Sequence, residues 1–363
     1  MFQPVFSIGP KTAKALMRVE ACRDAVESLP LTVTMLDSLR SSARLLSTHY
    51  STQIEGNRLN PKQVKEVLRG GGPFPGRERD EREVLYYHQA LEYMELQAQE
   101  TRPIAETVVR TLHGLVEHGK QKLSPYRDGQ NVIRHSRTGT MVYLPPEAKD
   151  VSRLMKELFV WIRAQLAAHE MPVPVVAALA HYQFATIHPY FDGNGRTARL
   201  LTTLLLHRGG YGLRGIYSLE EYYAKNLEGY YAALNVGKSH NYYFGRAKAD
   251  CSGFVEYFCV GMAESFETVR RRAEEAGKPG LPDVAPKIRE LDSKQRNVLG
   301  LFMKQKRATS AELGVFLELD PRNARILATK WIKAGFLEVA DASRKMRKYR
   351  LAPKYESLIA DAK

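Results

Sequence analysis

Residues 188–199 read HPYFDGNGRTAR and lie between two apolar segments, 175–187 and 197–206, whose length and composition predict helices. Gly193 and Gly195 allow a backbone path on which amide N–H groups come close to a ligand. Because the second helix begins at this loop, its unpaired N–H groups and the positive end of its dipole face the same point. The stretch therefore predicts two buried helices with an anion site at their junction.

The side chains of this stretch favour a polyphosphate ligand. Arg196 and Arg199 share one face of the first helical turn, where their charges oppose the helix dipole unless an anion is present. Asp192 is a hard oxygen ligand suited to Mg²⁺, and His188 can take a proton at neutral pH. Each feature alone is typical of a cap, a turn or a solvated pair, but together they indicate a phosphate site. His181 faces an apolar helix and is interpreted as structural, with a His181/His188/Asp192 metal site as the alternative.

The stretch resembles the motif of the Fic (filamentation induced by cAMP) family, H-P-F-x-D-G-N-G-R-x-x-R, and departs from its fixed positions only at Tyr190. The resemblance covers residues 10–277 and implies a protein adenylyltransferase, which moves AMP from ATP to a Ser, Thr or Tyr hydroxyl of a target protein and of itself. By this resemblance His188 is the general base and Asp192 holds Mg²⁺. The residues implied to bind the nucleotide are Gly193, Asn194, Gly195, Arg196, Thr197, Ala198, Arg199, Tyr230 and Tyr231. The two tyrosines are equally compatible with core positions of a helix.

One segment of the chain is predicted to form strands instead of helix. Residues 131–135 and 141–144 alternate in polarity and predict a β-hairpin, which Pro145 and Pro146 end. The resemblance identifies this hairpin as a flap that positions the backbone of the target by strand pairing. The flap residues are Asn131, Val132, Ile133, Met141, Val142 and Tyr143.

Residues 51–57, STQIEGN, end a predicted helix over 34–53. Ser51 and Glu55 are four residues apart and share a face of that helix. The segment is similar to the inhibitory motif of the Fic family, [S/T]-x-x-x-E-[G/N], which implies that Ser51, Glu55 and Gly56 form an inhibitory element and that Glu55 occupies Arg199 in place of the γ-phosphate. An exposed glutamate before a helix stop, and a glutamate that helps to remove AMP, are the alternatives.

Composition and charge are those of a globular protein with an anionic partner. The chain has 363 residues, of which 44% are hydrophobic and 26% charged, and a formal net charge of +14. Cys22, Cys251 and Cys259 lack metal-ligand or redox spacing and are predicted to be buried thiols. Residues 1–11 do not resemble a basic and apolar leader, and the apolar runs are too short to span a bilayer. We expect a cytoplasmic protein without a membrane partner.

The chain is predicted to have three regions: a helical region with the inhibitory helix at 1–100, the Fic core at 101–277 and a C-terminal domain at 286–363. The proline- and glycine-rich stretch 277–287 marks the boundary. Residues 287–350 hold 16 Lys and Arg against seven Asp and Glu, an excess of nine positive charges. Their order of helix, helix, turn, helix and hairpin resembles a winged helix-turn-helix domain, with 321–334 as the recognition helix. The side chains that could contact DNA are Arg322, Asn323, Arg325 and Lys330, although protein docking is equally compatible.

The whole sequence predicts a mainly α protein, with a Fic-type helical core, a small β-hairpin flap and a C-terminal winged helix-turn-helix domain. The leading interpretation is a self-inhibited adenylyltransferase whose partners are ATP, Mg²⁺, a protein target with a hydroxyl side chain and, through residues 286–363, DNA. The alternatives are a nucleotide-sensing DNA-binding regulator, and a Fic enzyme that transfers another phosphate-containing group or removes AMP. The oligomeric state is left open, a homodimer included.

Overall fold

The computed structural model describes residues 2–29, 31, 33–134, 139–276, 291–317, 319–341 and 347–356. The described residues within 1–31 and 35–277 form one compact unit, and those within 278–363 form a second, smaller one. The predicted boundary at 277–287 lies outside the described residues, as do residues 135–138 of the predicted hairpin.

The larger unit is helical apart from one two-stranded sheet, which confirms the mainly α prediction for the residues described. Its helices, in chain order, are α1 (Pro10–Ser28), α2 (Val33–Ile54), α3 (Pro61–Leu68), α4 (Glu78–Ala98), α5 (Glu106–His118), α6 (Ala148–Ala168), α7 (Val173–Ile187), α8 (Asn194–Arg208), α9 (Glu220–Lys225), α10 (Leu227–Leu234) and α11 (Ser252–Ala276).

Helix α7 is the centre of the larger unit. Its sequence, VPVVAALAHYQFATI, is apolar on every face, and almost all of its side chains are buried. A helix of this kind is stable only inside a core, because it has no polar side to turn towards water. Helices α6, α8 and α11 pack around it, and α8 is also in contact with α4 and α5. The loop between α7 and α8 is therefore held by two buried helices.

Two short strands form the predicted hairpin. Strand β1 (Ile133–Arg134) pairs antiparallel with β2 (Met141–Tyr143), and Ile133 lies opposite Tyr143. Leu144 continues from β2 as a parallel bridge to Asn241. The hairpin is shorter than predicted on its first side, since the side-chain amide of Asn131 donates to the carbonyl of Tyr190 at 3.2 Å instead. A hairpin this small is stable only against a larger body.

Some helix limits differ from the prediction. Helix α8 begins at Asn194, three residues before the predicted start, because Gly193 takes a left-handed conformation (φ 71°) and leaves the following residues free to enter the helix. Helices α9 and α10 were not predicted as separate elements. They are only six and eight residues long, too short for a clear helical period.

The smaller unit has its own apolar core, in which Trp331 and Phe336 are buried in contact. Its helices are α12 (Ser293–Lys304), α13 (Ser310–Phe316), α14 (Pro321–Lys333) and α15 (Pro353–Glu356), and its strands are β3 (Ala308–Thr309), β4 (Leu337–Asp341) and β5 (Lys348–Leu351). The strands form an antiparallel sheet in the order β3–β5–β4. Helix α14 starts as predicted, with the Asp320 side chain accepting from two backbone amides and Pro321 in the first turn. Residues 342–346, between β4 and β5, lie outside the described residues.

Two further predictions bear on the whole chain. Cys22, Cys251 and Cys259 are free and buried, as predicted. In the part of the chain that the structure describes, no helix is both long and apolar enough to cross a membrane.

Candidate functional site

The loop between α7 and α8 is rigid, because its own side chains brace it. The Asn194 side chain accepts from the backbone N–H of Tyr190 at 3.0 Å and donates to its carbonyl at 2.8 Å. The Thr197 hydroxyl donates to the carbonyl of Gly193 at 2.8 Å. Asn194 was predicted as a nucleotide-binding residue. Its side chain is committed to the loop, so a ligand meets its backbone rather than its amide group.

Tyr190 occupies the position at which the resemblance places phenylalanine. Its ring is buried and stacks on the imidazole of His113, with the ring centroids 3.5 Å apart. His113 in turn lies with Nε2 3.0 Å from the carbonyl oxygen of Asp192. The Tyr190 hydroxyl has no hydrogen-bond partner among the described residues. The loop is therefore anchored by ring stacking on His113.

His188 stands at the C-terminal end of α7 in a left-handed conformation (φ 51°), and its side chain is half-buried. Its Nδ1 lies 3.3 Å from the carbonyl of Ala185. Burial lowers the pKa of His188 to about 4. The positive charge of Arg127 lowers this pKa further, whereas the contact with Ala185 and the carboxylates of Glu55 and Asp192 raise it. The imidazole is neutral at pH 7 and so able to accept a proton.

Arg199 projects from α8 towards the C-terminal end of α2 and is buried. Its Nε donates to the Ser51 hydroxyl at 2.9 Å, and its Nη2 donates to the Ser51 carbonyl at 2.9 Å and to Glu55 Oε1 at 2.8 Å. Burial opposes the charge of Arg199, but the Glu55 carboxylate outweighs it and raises the pKa of the guanidinium. A Cβ added to Gly195 would collide with the same carboxylate. Glu55 thus covers both the second arginine and the glycine face of the loop, and Gly56 (φ 93°) ends its helix as predicted.

Arg196 is paired in the same way, and this contact was not foreseen. Its Nη2 donates to Glu117 Oε1, on α5, at 2.9 Å and lies 3.5 Å from Asp192 Oδ1. Burial raises the pKa of Glu117, although Arg196 opposes the shift. A Cβ on Gly193 would meet the Glu117 carboxylate, which therefore lies against the loop. Glu117 and Arg196 are 79 residues apart in sequence, so no spacing rule could have linked them.

Asp192 is the candidate metal ligand. Its side chain is 66% exposed and accepts from the amide of Gly193 at 2.6 Å. One exposed carboxylate beside a phosphate site suits Mg²⁺, which keeps most of its waters and binds to one or two carboxylates plus phosphates. No group of three or more metal-ligating side chains occurs among the described residues. Both ring nitrogens of His181 are engaged, by Thr202 at 2.8 Å and Tyr230 at 2.9 Å, which fits the interpretation that it is structural.

The two tyrosines of the predicted adenine pocket differ in exposure. Tyr230 is 2% exposed, and its hydroxyl is hydrogen-bonded to His181. Tyr231 is 50% exposed, and the centroids of the two rings are 5.4 Å apart. Tyr231 is therefore partly open to solvent, whereas Tyr230 lies in the core.

The flap lies beside this loop. The Tyr143 hydroxyl, in β2, donates to the carbonyl of Thr186 in α7 at 2.8 Å. Met141 is half exposed, and Val142 and Ile133 are partly buried. The structure thus brings together the predicted base, both arginines, the glycine loop, the predicted inhibitory residue Glu55 and the predicted flap within one side of the larger unit.

Residues 103–206 match the sequence profile of the Fic/DOC family. A protein adenylyltransferase Fic from Aedes aegypti is 31% identical over 202 residues, which cover 54% of this chain and 39% of that protein. The protein of the same name from Drosophila virilis is 30% identical over 202 residues, covering 54% and 40%. The chain therefore matches about two fifths of the length of these relatives.

Two solved structures share the fold. A Fic family protein from Desulfovibrio desulfuricans G20 superposes with a TM-score of 0.63 at 22% identity, covering 97% of this chain and 99% of that one. Fic-1 (residues 134–508) from C. elegans superposes with a TM-score of 0.57 at 24% identity, covering 73% and 72%.

Proposed function

We propose that this chain is a protein adenylyltransferase that moves AMP from ATP to a hydroxyl of a target protein, because residues 103–206 match the profile of the Fic/DOC family. The observation that carries the proposal is the position of His188 at the end of α7 and of Arg196 and Arg199 at the start of α8, joined by one braced loop of backbone amides. The similar adenylyltransferases from Aedes aegypti and Drosophila virilis support it.

His188 acts as the general base. It takes the proton from the incoming Ser, Thr or Tyr hydroxyl, whose oxygen attacks the α-phosphorus of ATP. The bond between the α-phosphorus and the bridging oxygen to the β-phosphate breaks, and pyrophosphate leaves. The lowered pKa of His188 keeps its imidazole unprotonated for this step.

The loop and helix α8 hold the triphosphate. The backbone amides of Asn194 and Gly195 at the helix N-terminus face the phosphate oxygens, whereas the Gly193 amide is held by the Asp192 side chain. Arg196 and Arg199 bind the β- and γ-phosphates. Thr197 and Ala198 complete the first turn, and Tyr231 stacks on the adenine with Tyr230 behind it. Mg²⁺ bound at Asp192 would neutralise phosphate charge.

Glu55 inhibits the enzyme in the resting state. Its carboxylate occupies Arg199 at 2.8 Å and lies against Gly195, where a γ-phosphate would bind. ATP must displace this carboxylate or bind in a pose unsuited to attack. The hydrogen bonds from Arg199 to Ser51 fix the arginine in this inhibited arrangement.

The test uses ATP labelled at the α-phosphate, with Mg²⁺, and mass spectrometry of the protein. We expect Glu55→Gly to self-label at least tenfold faster than the wild type and to gain the mass of AMP. The control Gln53→Gly, an exposed position on the same helical turn, labels like the wild type. Glu55→Gly/His188→Ala labels at least roughly 10²-fold more slowly than Glu55→Gly, the usual contribution of a general base.

Other outcomes would favour the alternatives. Transfer of the γ-label alone would identify an enzyme that moves phosphate, and loss of AMP from pre-labelled protein that requires Glu55 would identify AMP removal. Tight ATP binding with no transfer by Glu55→Gly would overturn the proposal and favour a nucleotide-sensing regulator.

The smaller unit supports a second proposal, that residues 286–363 are a winged helix domain that binds DNA. Its order of helix, strand, helix, helix, strand, strand is the order of that fold. In α14, Ala324, Ala328 and Trp331 face the core. The opposite face exposes Arg322, Asn323, Arg325 and Lys330.

A binding assay with the full chain and double-stranded DNA at several salt concentrations tests this proposal. We expect the logarithm of the binding constant to fall linearly with the logarithm of salt concentration. Arg322→Ala/Arg325→Ala should bind at least about tenfold more weakly than the control Lys294→Ala, which removes an exposed charge from α12. Equal binding by both variants, or none at low salt, would contradict DNA binding and favour protein docking.

A further inference from the structure

Arg127 connects the flap to the catalytic loop through four hydrogen bonds to backbone carbonyls. Its Nε donates to the carbonyl of His188 at 2.9 Å, and its backbone N–H donates to the carbonyl of Pro189 at 3.0 Å. Its Nη1 donates to Gly129 at 2.9 Å, and its Nη2 donates to Pro146. Gly129 precedes β1 and Pro146 follows β2, so one side chain contacts both ends of the flap and the backbone of the base.

This arginine is buried without a counter-charge. Its residue is 4% exposed, and no carboxylate of the described residues forms an ion pair with it. Burial lowers the pKa of its guanidinium. A buried cation balanced only by carbonyl dipoles is expensive to desolvate. Stability alone would favour a neutral side chain here, which suggests that the fork of donors serves another purpose.

The fork has a geometry that other side chains cannot reproduce. The guanidinium is planar, and its donors point in fixed directions to carbonyls on three separate chain segments. A lysine ammonium carries the same charge but is a single point on a flexible stem. The hydrogen bond from Arg127 Nε also fixes the carbonyl of His188, the residue whose backbone is left-handed.

We propose that Arg127 is a positioning residue, which sets the distance between the flap and His188 so that a hydroxyl presented along the flap meets the imidazole. This proposal rests on the adenylyltransferase activity proposed above. In this proposal Arg127 contacts neither the nucleotide nor the target protein. Its substitution should therefore slow transfer to protein while leaving ATP binding unchanged.

The charge of Arg127 has a second, separable effect. The charged groups that act on His188 are Arg127 from the flap base, Glu55 from the end of α2 and Asp192 from the loop. Arg127 lowers the pKa of the imidazole, and the two carboxylates raise it. A neutral residue at 127 should therefore move the acid limb of the rate profile to higher pH, whereas lysine should leave it in place.

The experiment compares Arg127→Lys and Arg127→Gln in the Glu55→Gly protein, with α-labelled ATP and the protein's own hydroxyls as acceptor. We expect self-labelling to fall at least tenfold in both variants, with the ATP dissociation constant and the melting temperature close to those of Glu55→Gly. The acid limb of kcat/KM for ATP should shift upward only in Arg127→Gln. Asn131→Ala, which removes another contact between flap and loop, should slow labelling to a smaller extent.

Three results would overturn the role of Arg127: an unchanged labelling rate, a parallel loss of ATP affinity, or failure of both variants to fold. If only Arg127→Gln fails to fold, Arg127→Lys decides the matter. A Glu55→Gly parent that binds ATP but transfers nothing would instead refute the adenylyltransferase proposal, so the two failures are distinguishable.

Discussion

At the scale of single residues, both arginines of the loop are occupied by carboxylates from other helices. Arg199 binds Glu55 at 2.8 Å, and Arg196 binds Glu117 at 2.9 Å. Each carboxylate also covers a glycine of the loop, Gly195 or Gly193. Under the proposed function, the resting site is therefore filled at the two points where phosphate oxygens would bind, and removing one carboxylate leaves the other in place.

We accordingly predict that Glu117→Gln increases ATP affinity further in the Glu55→Gly protein. The neutral amide would release Arg196 for the phosphates and remove a negative charge that repels them. A partly exposed ion pair is worth about 1 kcal/mol, so we expect the dissociation constant to fall roughly three- to tenfold. Isothermal titration calorimetry with ATP and Mg²⁺ measures it.

The matched control for this variant is Glu106→Gln, on the same helix, whose carboxylate accepts from the Tyr126 hydroxyl at 2.8 Å and contacts neither arginine. It should bind ATP like the Glu55→Gly parent. Equal or weaker affinity in Glu117→Gln would show that Glu117 holds Arg196 ready for the nucleotide and does not compete with it.

At the scale of secondary-structure elements, the predictable parts of the site are those that lie within one segment. The loop and its arginines are contiguous, and Ser51 and Glu55 are four residues apart on one helix, so their shared face follows from the helical period. The residues that were missed come from elsewhere. Glu117 ends α5, and Arg127 lies in the coil before the flap. Their contacts depend on how whole elements pack, which no local pattern records.

The flap shows the same limit. Alternating polarity correctly predicted two strands, but among the described residues of the hairpin only 133–134 and 141–143 pair. Asn131 was expected to continue the first strand, and its amide group instead bonds to the carbonyls of Tyr190 and Phe191. Hydrogen bonds made by a polar side chain can compete with the backbone hydrogen bonds of a strand pair. Which of the two forms depends on the carbonyls that lie nearby in the folded chain.

At the scale of the whole molecule, the larger unit buries several histidines that must stay neutral. Burial lowers the pKa of His181 to about 3, and lowers those of His113, His188 and His207 to about 4. An unfolded chain titrates histidine near 6.5. The folded unit therefore binds fewer protons than the unfolded chain between these values, and protons favour unfolding.

We predict that the larger unit loses stability as the pH falls from about 6.5 towards 4, by at most about 1.4 kcal/mol per pH unit for each such histidine. The sign follows from the lowered pKa: the stability is fully present above the unfolded value and is lost as the pH falls towards the folded value. Urea unfolding followed by Trp161 fluorescence measures it. The chain has two tryptophans, so Trp331→Phe isolates the signal of the larger unit.

His181 offers the sharpest comparison, because its ring is completely buried and both nitrogens are hydrogen-bonded inside the core. His181→Gln should lower stability at pH 7 and also flatten its dependence on pH between about 6.5 and 5, where few carboxylates titrate. His169→Gln, at an exposed position after α6, should leave both unchanged. An equal slope in the two variants would mean that His181 is not the neutral buried group described here, and that the acid sensitivity has another origin.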